Sequence, residues 1–249
     1  MNPREFVNIA RAEKDFWWYR GMREILFRML EPHVAARKIG RVLEAGCGTG
    51  YLAKLMESER HWPVTAVDIS GEGLRYAREM GLPRPVRGDV RELPFARESF
   101  DLVISTDVLP HLARGEEHRA ARELARVLAR SGLLALRVAA LDILRSRHSE
   151  FVEERQRFTR RRLVELVEAV GIRVLRCTYV NSVLMPAALV KFRVWEPLLG
   201  RPAASGVAMP APWVNRLLSA PLALEAACVG AGLDFPAGQS LVLVGEKIR

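Results

Sequence analysis

The sequence predicts an α/β fold in which a mostly parallel sheet carries helices on both faces. Short apolar runs alternate along the chain with segments whose apolar residues recur every three to four positions, the pattern of strands alternating with helices. The run Phe100–Ser105 is apolar almost without interruption, as expected for a strand buried on both faces. The crossovers between such strands should be right-handed.

The same patterns place the individual elements. Strands are predicted at residues 41–45, 63–67, 86, 100–105, 133–139, 172–180 and 240–245. Helices are predicted at residues 4–37, 51–57, 72–80, 116–129 and 159–170. Thr159 is expected to cap the last of these helices, and Gly171 to end it. Residues 181–239 form an unusually long connection before the final strand.

Composition excludes several classes of protein. The chain has 249 residues, of which 49% are hydrophobic and 27% charged, so disordered and low-complexity classes do not apply. Its formal net charge of +9 raises the question of nucleic-acid binding. The basic residues are mostly arginines spread along the whole chain, many of them three or four residues from an acid, which favours solvated helix surfaces. We therefore expect no nucleic-acid partner.

Cysteine usage and hydropathy indicate the compartment. Cys47, Cys177 and Cys228 are far apart in sequence, so neither a disulfide framework nor a metal site is predicted, and a reducing cytoplasmic location is expected. The first residues do not have the pattern of a secretory signal. No run of uncharged apolar residues is long enough to predict a spanning helix.

A glycine-rich loop, Gly46-Cys-Gly-Thr-Gly50, lies between the first strand and the helix after it. Glycines at this point let a ligand approach the backbone, and the start of the helix offers free N–H groups. No Walker lysine follows the loop, and its spacing differs from the dinucleotide pattern G-x-G-x-x-G. The alternative is a tight turn that binds nothing.

Two acids follow the next two strands. Asp68 stands at the end of the second strand, where a carboxylate can accept both hydroxyls of a ribose. Its alternative role is to cap the following helix. Asp89 follows the third strand, where a carboxylate can accept the exocyclic amine of an adenine. Together the strand ends outline an adenosine-containing ligand.

Four ordered motifs resemble those of class I S-adenosylmethionine-dependent methyltransferases, in particular the methyltransferase type 11, or UbiE-like, group. They lie at residues 42–50, 67–70, 88–95 and 100–112. The resemblance implies a Rossmann-like seven-stranded methyltransferase sheet, with S-adenosyl-L-methionine as cofactor and S-adenosyl-L-homocysteine as product. It covers a core over residues 38–180, and the last core strand is expected at 240–249. A helical lid at 1–37 and a helical insertion at 181–239 complete the chain.

The resemblance also implies which residues bind the cofactor. The core residues concerned are Glu44, Gly46, Cys47, Gly48, Gly50, Asp68, Ile69, Asp89, Val90, Ser105 and Thr106. The glycine loop is expected to contact the methionine part, and Asp68 the ribose. The residues after Asp68 and Gly88 are expected to contact the adenine, and the end of the fourth strand to face the methionine ammonium. Cys47 occupies a variable position and needs no redox role.

A hydroxyl or ammonium acceptor must lose a proton before or during methyl transfer, which requires a general base. His111 is the first candidate for this catalytic role and Asp107 the second, because both follow the fourth strand on the side where the methyl group should emerge. The alternative is that His111 is a structural or cofactor-side residue.

Adjacent aromatic residues near the N-terminus predict a lid over the cofactor. Trp17, Trp18 and Tyr19 follow one another directly and cannot all face one core at helical spacing. The segment resembles the His-Trp-Trp-Tyr-Arg segment of many bacterial methyltransferases, with Phe16 in place of the histidine. This implies that Tyr19 and Arg20 bind the cofactor and that Trp17 and Trp18 contact the substrate. The alternative is a helix that simply docks on the sheet.

The long connection before the last strand predicts two helical segments, near residues 184–199 and 213–232. Three roles are open for it: a cap over an apolar substrate, a dimer contact, or contact with a membrane surface. The basic run Arg155–Arg162 precedes it. That run could bind anionic lipid or a phosphate-bearing substrate, or it could pair with nearby glutamates.

The leading hypothesis is a methyltransferase acting on an oxygen or nitrogen of a small molecule, namely a metabolite, a glycan or a lipid-linked substrate, as a monomer or homodimer. A second hypothesis is an RNA or DNA methyltransferase. Against it, Ser105-Thr-Asp-Val108 differs from the Asn/Asp-Pro-Pro-Tyr signature of exocyclic-amine methylation. A third is a non-catalytic cofactor-binding partner of a biosynthetic enzyme.

Overall fold

Seven strands form a single sheet in the computed structural model, which describes residues 2–200 and 202–248. The strands are β1 (Val42–Ala45), β2 (Val64–Asp68), β3 (Val86–Arg87), β4 (Phe100–Thr106), β5 (Leu128–Ala139), β6 (Ile172–Val180) and β7 (Ser240–Lys247). Their order across the sheet is β3-β2-β1-β4-β5-β7-β6. Strand β7 is antiparallel to both of its neighbours, and the other neighbouring pairs are parallel. The predicted seven-stranded α/β sheet is confirmed.

Helices connect the strands and cover the sheet. They are α1 (Glu5–Ala12), α2 (Trp17–Val34), α3 (Tyr51–Arg60), α4 (Gly71–Glu79), α5 (Glu117–Val127), α6 (Arg147–Phe151), α7 (Arg160–Glu168), α8 (Met185–Val190), α9 (Glu196–Leu199) and α10 (Pro212–Gly230). A π-helical turn, Lys191–Trp195, joins α8 to α9. Short 3-10 turns lie at Leu109–His111 and Asp142–Leu144. Thr159 caps α7 by accepting a hydrogen bond from the backbone N–H of Arg162, as predicted.

Both faces of the sheet are buried, which explains the uninterrupted apolar runs. Along β5, Leu134 and Leu136 belong to the core beneath α5 and α7, whereas Leu133 and Ala135 belong to the core beneath α2 and α10. Side chains alternate between the faces of a strand. A central strand with helices on both sides therefore needs an apolar residue at nearly every position.

The parallel strands bring the loops that follow them to one edge of the sheet. In the sheet register Ala45 of β1 pairs with Val67 of β2, and Thr106 of β4 pairs with Arg137 of β5. The residues just beyond these strand ends therefore lie side by side. They belong to the glycine loop, to the segment from Asp68 onward and to the loop after β4.

Residues 4–37 are mostly helical, as predicted, but the chain breaks between α1 and α2. Phe16 adopts an extended conformation (φ −65°, ψ 128°). Asn215 of α10 holds the break: its side-chain oxygen accepts from the Trp17 N–H at 2.9 Å, and its amide donates to the Asp15 carbonyl at 2.9 Å. A tertiary contact with a residue nearly two hundred positions away sets this boundary.

Helix α2 is also a core element rather than part of a detachable cover. Its inward side chains Met22, Ile25, Leu26 and Met29 are fully buried against the sheet. Within the segment 1–37 predicted as a lid, most of α2 therefore belongs to the core, which leaves α1 and the first turn of α2 as the part that could cover a ligand. A smaller difference concerns the predicted helix over 116–129, since α5 ends at Val127 and β5 already begins at Leu128.

The late insertion contains the two predicted helical segments, residues 185–199 and α10. Helix α10 packs along α2, and the contact is closest at Gly21, where an added Cβ would lie 2.5 Å from Leu222 Cδ1. Buried Glu225 of α10 accepts hydrogen bonds from the backbone N–H groups of Ser182 and Val183 at 2.8 and 3.2 Å. These bonds fasten α10 to the end of β6.

The described helices include none with both the length and the apolar character needed to cross a bilayer.

The contact between α2 and α10 yields a stability prediction. Gly21→Val should lower the free energy of unfolding by about 1–3 kcal/mol, because the new side chain overlaps Leu222 in a packed core. Urea titration followed by circular dichroism measures this change. Gly71→Val is the matched control, since an added Cβ at Gly71 meets nothing within 4 Å. Equal effects at the two glycines would contradict the close packing.

Candidate cofactor and acceptor site

The glycine loop at the end of β1 has a conformation that only glycine adopts readily. Gly46, Gly48 and Gly50 have φ values of 86°, 53° and 79°, in the region where a Cβ is strained. A Cβ at Gly46 would also lie 2.0 Å from Val108 Cγ2. The loop is thus packed directly against the segment that follows β4, and it leads into the N-terminus of α3.

Asp68 anchors the loop to the end of β2. One of its carboxylate oxygens accepts from the Gly48 N–H at 2.8 Å, and the other accepts from the Ser70 N–H at 2.7 Å. Burial raises the pKa of the Asp68 carboxyl. Helix α4 is capped by Ser70, whose hydroxyl accepts from the Gly73 N–H at 3.1 Å, so the capping alternative proposed for Asp68 is wrong.

Two further carboxyls lie buried against the glycine loop. Glu44 is inside β1, and its Oε2 has no hydrogen-bond partner among the described residues. Glu13, between α1 and α2, accepts a 2.5 Å hydrogen bond from the Thr49 hydroxyl on Oε2, while its Oε1 has no partner within the described chain. Burial raises the pKa of Glu13 to about 7 and that of Glu44 well above its ordinary value. Each unpartnered oxygen can accept a hydrogen bond from a cation.

The residues predicted to contact an adenine gather at the ends of β2 and β3. Ile69 is 58% exposed and follows Asp68. Asp89 receives a two-pronged contact from Arg91, whose Nε lies 3.0 Å from both carboxylate oxygens. This contact holds the pKa of Asp89 below its usual range. Val90 is buried in the core, so its backbone is the part that a ligand can reach.

The end of β4 carries an ion pair next to the aromatic segment. Asp107, in a left-handed conformation with φ 59°, accepts hydrogen bonds from Arg137 Nε and Nη2 at 3.1 and 2.5 Å. The Arg137 guanidinium lies 5.0 Å from the centre of the Trp18 ring. Tyr19 packs edge-on against Trp18 at 5.1 Å, and burial raises its pKa. The pair is therefore packed beneath aromatic rings, partly shielded from water.

Ser105 and Thr106 differ in their surroundings at the same strand end. The Ser105 hydroxyl is buried and donates to the Ala45 carbonyl at 2.7 Å, which ties β4 to β1. Thr106 is only half-buried and pairs in register with Arg137. Ser105 thus holds the ends of β4 and β1 together, while the backbone around Thr106 borders the Asp107–Arg137 pair.

His111 lies half-buried in the turn after β4. Its Nδ1 has no hydrogen-bond partner among the described residues. Burial lowers the pKa of the imidazole, while Asp107 and Glu153 act in the opposite direction. The net shift keeps His111 neutral near pH 7, the form in which an imidazole can accept a proton.

The N-terminal segment covers the glycine loop. An added Cβ at Gly48 would lie 3.7 Å from Phe6 Cε1 of α1, and one at Gly73 only 2.9 Å from the same atom. Arg23 of α2 donates to the Glu13 and Lys14 carbonyls. These contacts support a lid formed by α1 and the break that follows it.

The aromatic segment divides into residues that face the site and residues that do not. Trp18 and Tyr19 lie against the Asp107–Arg137 pair, as described above. Trp17 instead packs on Phe16 at 5.6 Å, and its N–H is bound by Asn215. Arg20 is exposed. The structure thus brings Trp18 and Tyr19 to the strand edge, whereas the Trp17 ring packs on Phe16 and its backbone is bound to the insertion helix.

Cys47, within the glycine loop, is buried, and burial raises the pKa of its thiol. A thiol of this kind stays protonated at neutral pH and is a poor nucleophile.

Three residues of the site were missed by sequence reasoning. Arg137 could have been noticed, since it is a charge within the otherwise apolar strand β5. Glu13 and Phe6 carry no local signal, because only the fold of α1 over the glycine loop brings them there.

Comparison with known proteins identifies the family. The sequence profile of the family described as "Methyltransferase domain" matches residues 43–136. A malonyl-[acyl-carrier protein] O-methyltransferase of Herminiimonas arsenicoxydans is 34% identical over 180 residues, which are 69% of this chain and 67% of that protein. A "Probable S-adenosylmethionine-dependent methyltransferase" of Mycobacterium tuberculosis is 37% identical over 120 residues, or 47% of this chain.

The fold is shared with solved structures as well. A Haloferax volcanii protein in complex with the Trm112 methyltransferase activator superposes with a TM-score of 0.60 at 17% identity, covering 98% of both chains. The chain belongs to the class I S-adenosylmethionine-dependent methyltransferases, and its cofactor is S-adenosyl-L-methionine. The matched segment spans 41% of the length of the Mycobacterium tuberculosis relative.

The described site fits this cofactor. The glycine loop is a cradle that a Cβ would fill, and the unpartnered oxygens of Glu13 and Glu44 suit an ammonium group such as that of the methionine part. Each Asp68 oxygen accepts one backbone hydrogen bond in the structure. Each therefore keeps a further lone pair for a ribose hydroxyl.

The raised pKa of Glu13 yields a prediction about stability in the absence of cofactor. Because the folded-state pKa is about 7 and the ordinary value is 4.5, the folded protein binds more protons than the unfolded chain between these values. Its free energy of unfolding should therefore fall as the pH rises through this window. Glu13→Gln should flatten that fall, as measured by urea titrations at a series of pH values.

The matched control for this measurement is Glu24→Gln. Glu24 is an exposed carboxyl of α2 that pairs with Arg28, and its variant should keep the wild-type slope. If the free energy of unfolding of Glu13→Gln changed with pH as steeply as that of the wild type, the assignment of a buried, protonated carboxyl at the loop would be contradicted.

Proposed function

We propose that this protein transfers a methyl group from S-adenosyl-L-methionine to an oxygen or nitrogen of a small-molecule acceptor. The observation that carries the proposal is the meeting of two groups of residues at one edge of the sheet. The glycine loop with Asp68 and Asp89 forms the cofactor side. The loop after β4, with Asp107 and His111, forms the acceptor side.

When bound, the cofactor supplies a sulfonium-activated methyl group, so the work of the protein is mainly positioning. We assign Asp68 to the ribose hydroxyls and Asp89 with Ile69 to the adenine. Glu13 and Glu44 hold the ammonium group through their unpartnered oxygens. Gly46, Cys47, Gly48, Gly50, Val90, Ser105 and Thr106 contribute backbone contacts around these side chains. Of the other two residues predicted to bind the cofactor, we reassign Tyr19 to the acceptor side, and Arg20, which is exposed, has no part in this arrangement.

On the acceptor side the residues exclude water and manage a proton. Trp18 and Tyr19 cover the Asp107–Arg137 pair, so an acceptor placed there meets aromatic surface and a fixed charge pair. Neutral His111 accepts the proton that a hydroxyl or ammonium acceptor must release. Asp107, whose carboxylate is engaged by Arg137, orients the acceptor and favours the protonated imidazole electrostatically.

The relatives support an oxygen acceptor. One of them is named as an O-methyltransferase acting on malonyl-[acyl-carrier protein], and this chain shares 34% identity with it over the matched segment. Oxygen methylation of a carboxyl group is therefore the first reaction to test. A carboxylate acceptor is ionised at neutral pH and would need no base, in which case His111 would act only in positioning.

The alternative of nucleic-acid methylation finds less support in the arrangement of charge. Within the basic run 155–162, Arg157 pairs with Glu154 at 2.6 Å, Arg161 with Glu165 at 2.7 Å, and Arg162 with Glu117 at 2.5 Å. These arginines are neutralised by neighbours, as the second interpretation of the run predicted.

Cofactor binding should depend on Asp68. Asp68→Asn should weaken binding of S-adenosyl-L-methionine about tenfold or more, because charge-assisted hydrogen bonds of about 1.5–3 kcal/mol are lost. Isothermal titration measures the affinity. Asp101→Asn is the control: Asp101 also accepts from two backbone N–H groups, those of Gly40 and Arg41, but lies at the opposite end of β4. Similar losses of cofactor affinity in both variants would show that losing hydrogen bonds to backbone N–H groups is enough to weaken binding, and would contradict a direct role of Asp68.

The role of His111 is tested by the pH dependence of turnover. Small-molecule extracts are incubated with protein and S-adenosyl-L-methionine labelled in the methyl group, and a methylated fraction is then used as acceptor. Because the pKa of His111 is lowered by burial, wild-type turnover should be lost only below the usual histidine range, as the imidazole becomes protonated. With an acceptor that must lose a proton, His111→Gln should reduce kcat about 10²-fold or more and abolish this acid limb, whereas a carboxylate acceptor should show no such limb.

Two outcomes would oppose these assignments. An acid limb that persists in His111→Gln rules out the proposed base while leaving methyl transfer in place. Tight cofactor binding without methyl transfer to any fraction supports the third hypothesis, a non-catalytic cofactor-binding partner.

A further inference from the structure

One segment of the late insertion is apolar and yet contributes nothing to the core. Within Met185–Leu199, which the structure describes completely, no residue is buried. Its only charged residues are Lys191, Arg193 and Glu196. Trp195 is 64% exposed and Leu198 79%. A helix that is apolar nearly all round is expected to be covered on all sides.

Helix α10 repeats this feature on its outer side. Its inner residues pack on α2, but its outward positions at 213, 217, 220, 223, 224 and 227 are all apolar and exposed. They follow helical spacing over four turns. Trp213 at the start of this stripe is 70% exposed, and Leu217 63%. The one charge on the stripe is Arg216. We call the exposed apolar residues of 185–199 and of α10 together the insertion surface.

The insertion surface carries three basic residues, Lys191, Arg193 and Arg216, and one acid, Glu196. Arg193 donates to the backbone carbonyls of Ile143 and Asp142 rather than to a carboxylate, and Lys191 lies 5.5 Å from the Phe192 ring. Neither of them, nor Arg216, forms an ion pair within the described residues. Glu196, the one acid of residues 185–199, accepts a hydrogen bond from the Arg147 backbone N–H.

Exposed apolar residues together with unpaired basic residues favour one of the two partners that could cover the insertion surface, a second copy of the chain or a lipid membrane. A symmetric contact with a second copy would place the basic insertion surface against itself, so that like charges face each other. An anionic lipid surface offers apolar depth for leucines, an interfacial zone that tryptophan prefers, and negative charge for lysine and arginine. The formal net charge of +9 acts in the same direction.

We propose that the insertion surface, residues 185–199 together with the outer face of α10, docks on an anionic membrane surface. The helices lie in the plane of the interface and do not cross the bilayer. Trp195, Leu198, Trp213 and Leu217 enter the boundary between headgroups and acyl chains. Lys191 and Arg216 contact lipid phosphates. This inference is independent of the identity of the methyl acceptor.

Vesicle binding tests the proposal directly. The full chain is mixed with vesicles of phosphatidylcholine alone, or of phosphatidylcholine and phosphatidylglycerol in equal parts, and bound protein is separated by flotation. We expect binding to the anionic vesicles that weakens with salt. Trp195→Ser with Leu198→Ser, and separately Trp213→Ser with Leu217→Ser, should each reduce partitioning about tenfold or more. Lys191→Glu and Arg216→Glu should each reduce it about fivefold.

Matched controls separate the insertion surface from general charge and hydrophobicity. Ile248→Ser removes an exposed apolar side chain elsewhere, and Arg161→Glu reverses a charge on α7 that is 89% exposed. Both should bind like the wild type. Circular dichroism and cofactor affinity, unchanged in all variants, would show that the fold is intact.

Two results would overturn the proposal. One is vesicle binding that the insertion variants leave unchanged. The other is failure of the wild-type chain to bind anionic vesicles. Sedimentation velocity then asks whether the chain is a monomer or a dimer, and whether Trp213→Ser with Leu217→Ser dissociates the dimer. In the dimer case the insertion surface would be an interface between copies of this chain.

Discussion

The close packing of the glycine loop is the constraint on which the site depends. The N–H groups of Gly46 and Cys47 both donate to the Val67 carbonyl at 2.8 and 3.0 Å, and Asp68 holds the Gly48 N–H. On its other side, Gly46 leaves no room for a Cβ beside Val108. The loop thereby joins the ends of β1, β2 and β4 in one rigid unit. Every residue assigned to the cofactor or to the acceptor is positioned relative to that unit.

Charge is divided between the interior and the surface of the protein. The residues around the loop are acids, Glu13, Glu44 and Asp68, whose pKa values are all raised by burial. Burying a carboxyl without a hydrogen-bond partner costs free energy. A bound cationic ligand compensates for that cost. The basic excess lies outside, much of it in ion pairs with neighbouring glutamates. Net charge alone would have suggested nucleic acid, whereas the arrangement indicates a cationic cofactor within a basic shell.

The N-terminal segment and the late insertion act as one structure, although they are far apart in sequence. Asn215 secures the break before α2, and Leu222 packs on Gly21. The Ser205 hydroxyl donates to buried Glu5 of α1 at 2.8 Å. The N-terminal segment and the insertion are therefore joined by direct hydrogen bonds and packing contacts.

The strands and the cofactor loop could be predicted from the sequence because local rules determine them. Strands buried on both faces are continuous apolar runs, and a loop with positive φ requires glycine at 46, 48 and 50. The acids at 68 and 89 follow from their position at strand ends. The break at Phe16, the arrival of Glu13 beside Thr49, and the contact between Trp18 and Arg137 could not be predicted in this way. These contacts join residues distant in the chain, and their energy comes from tertiary packing that no local pattern encodes.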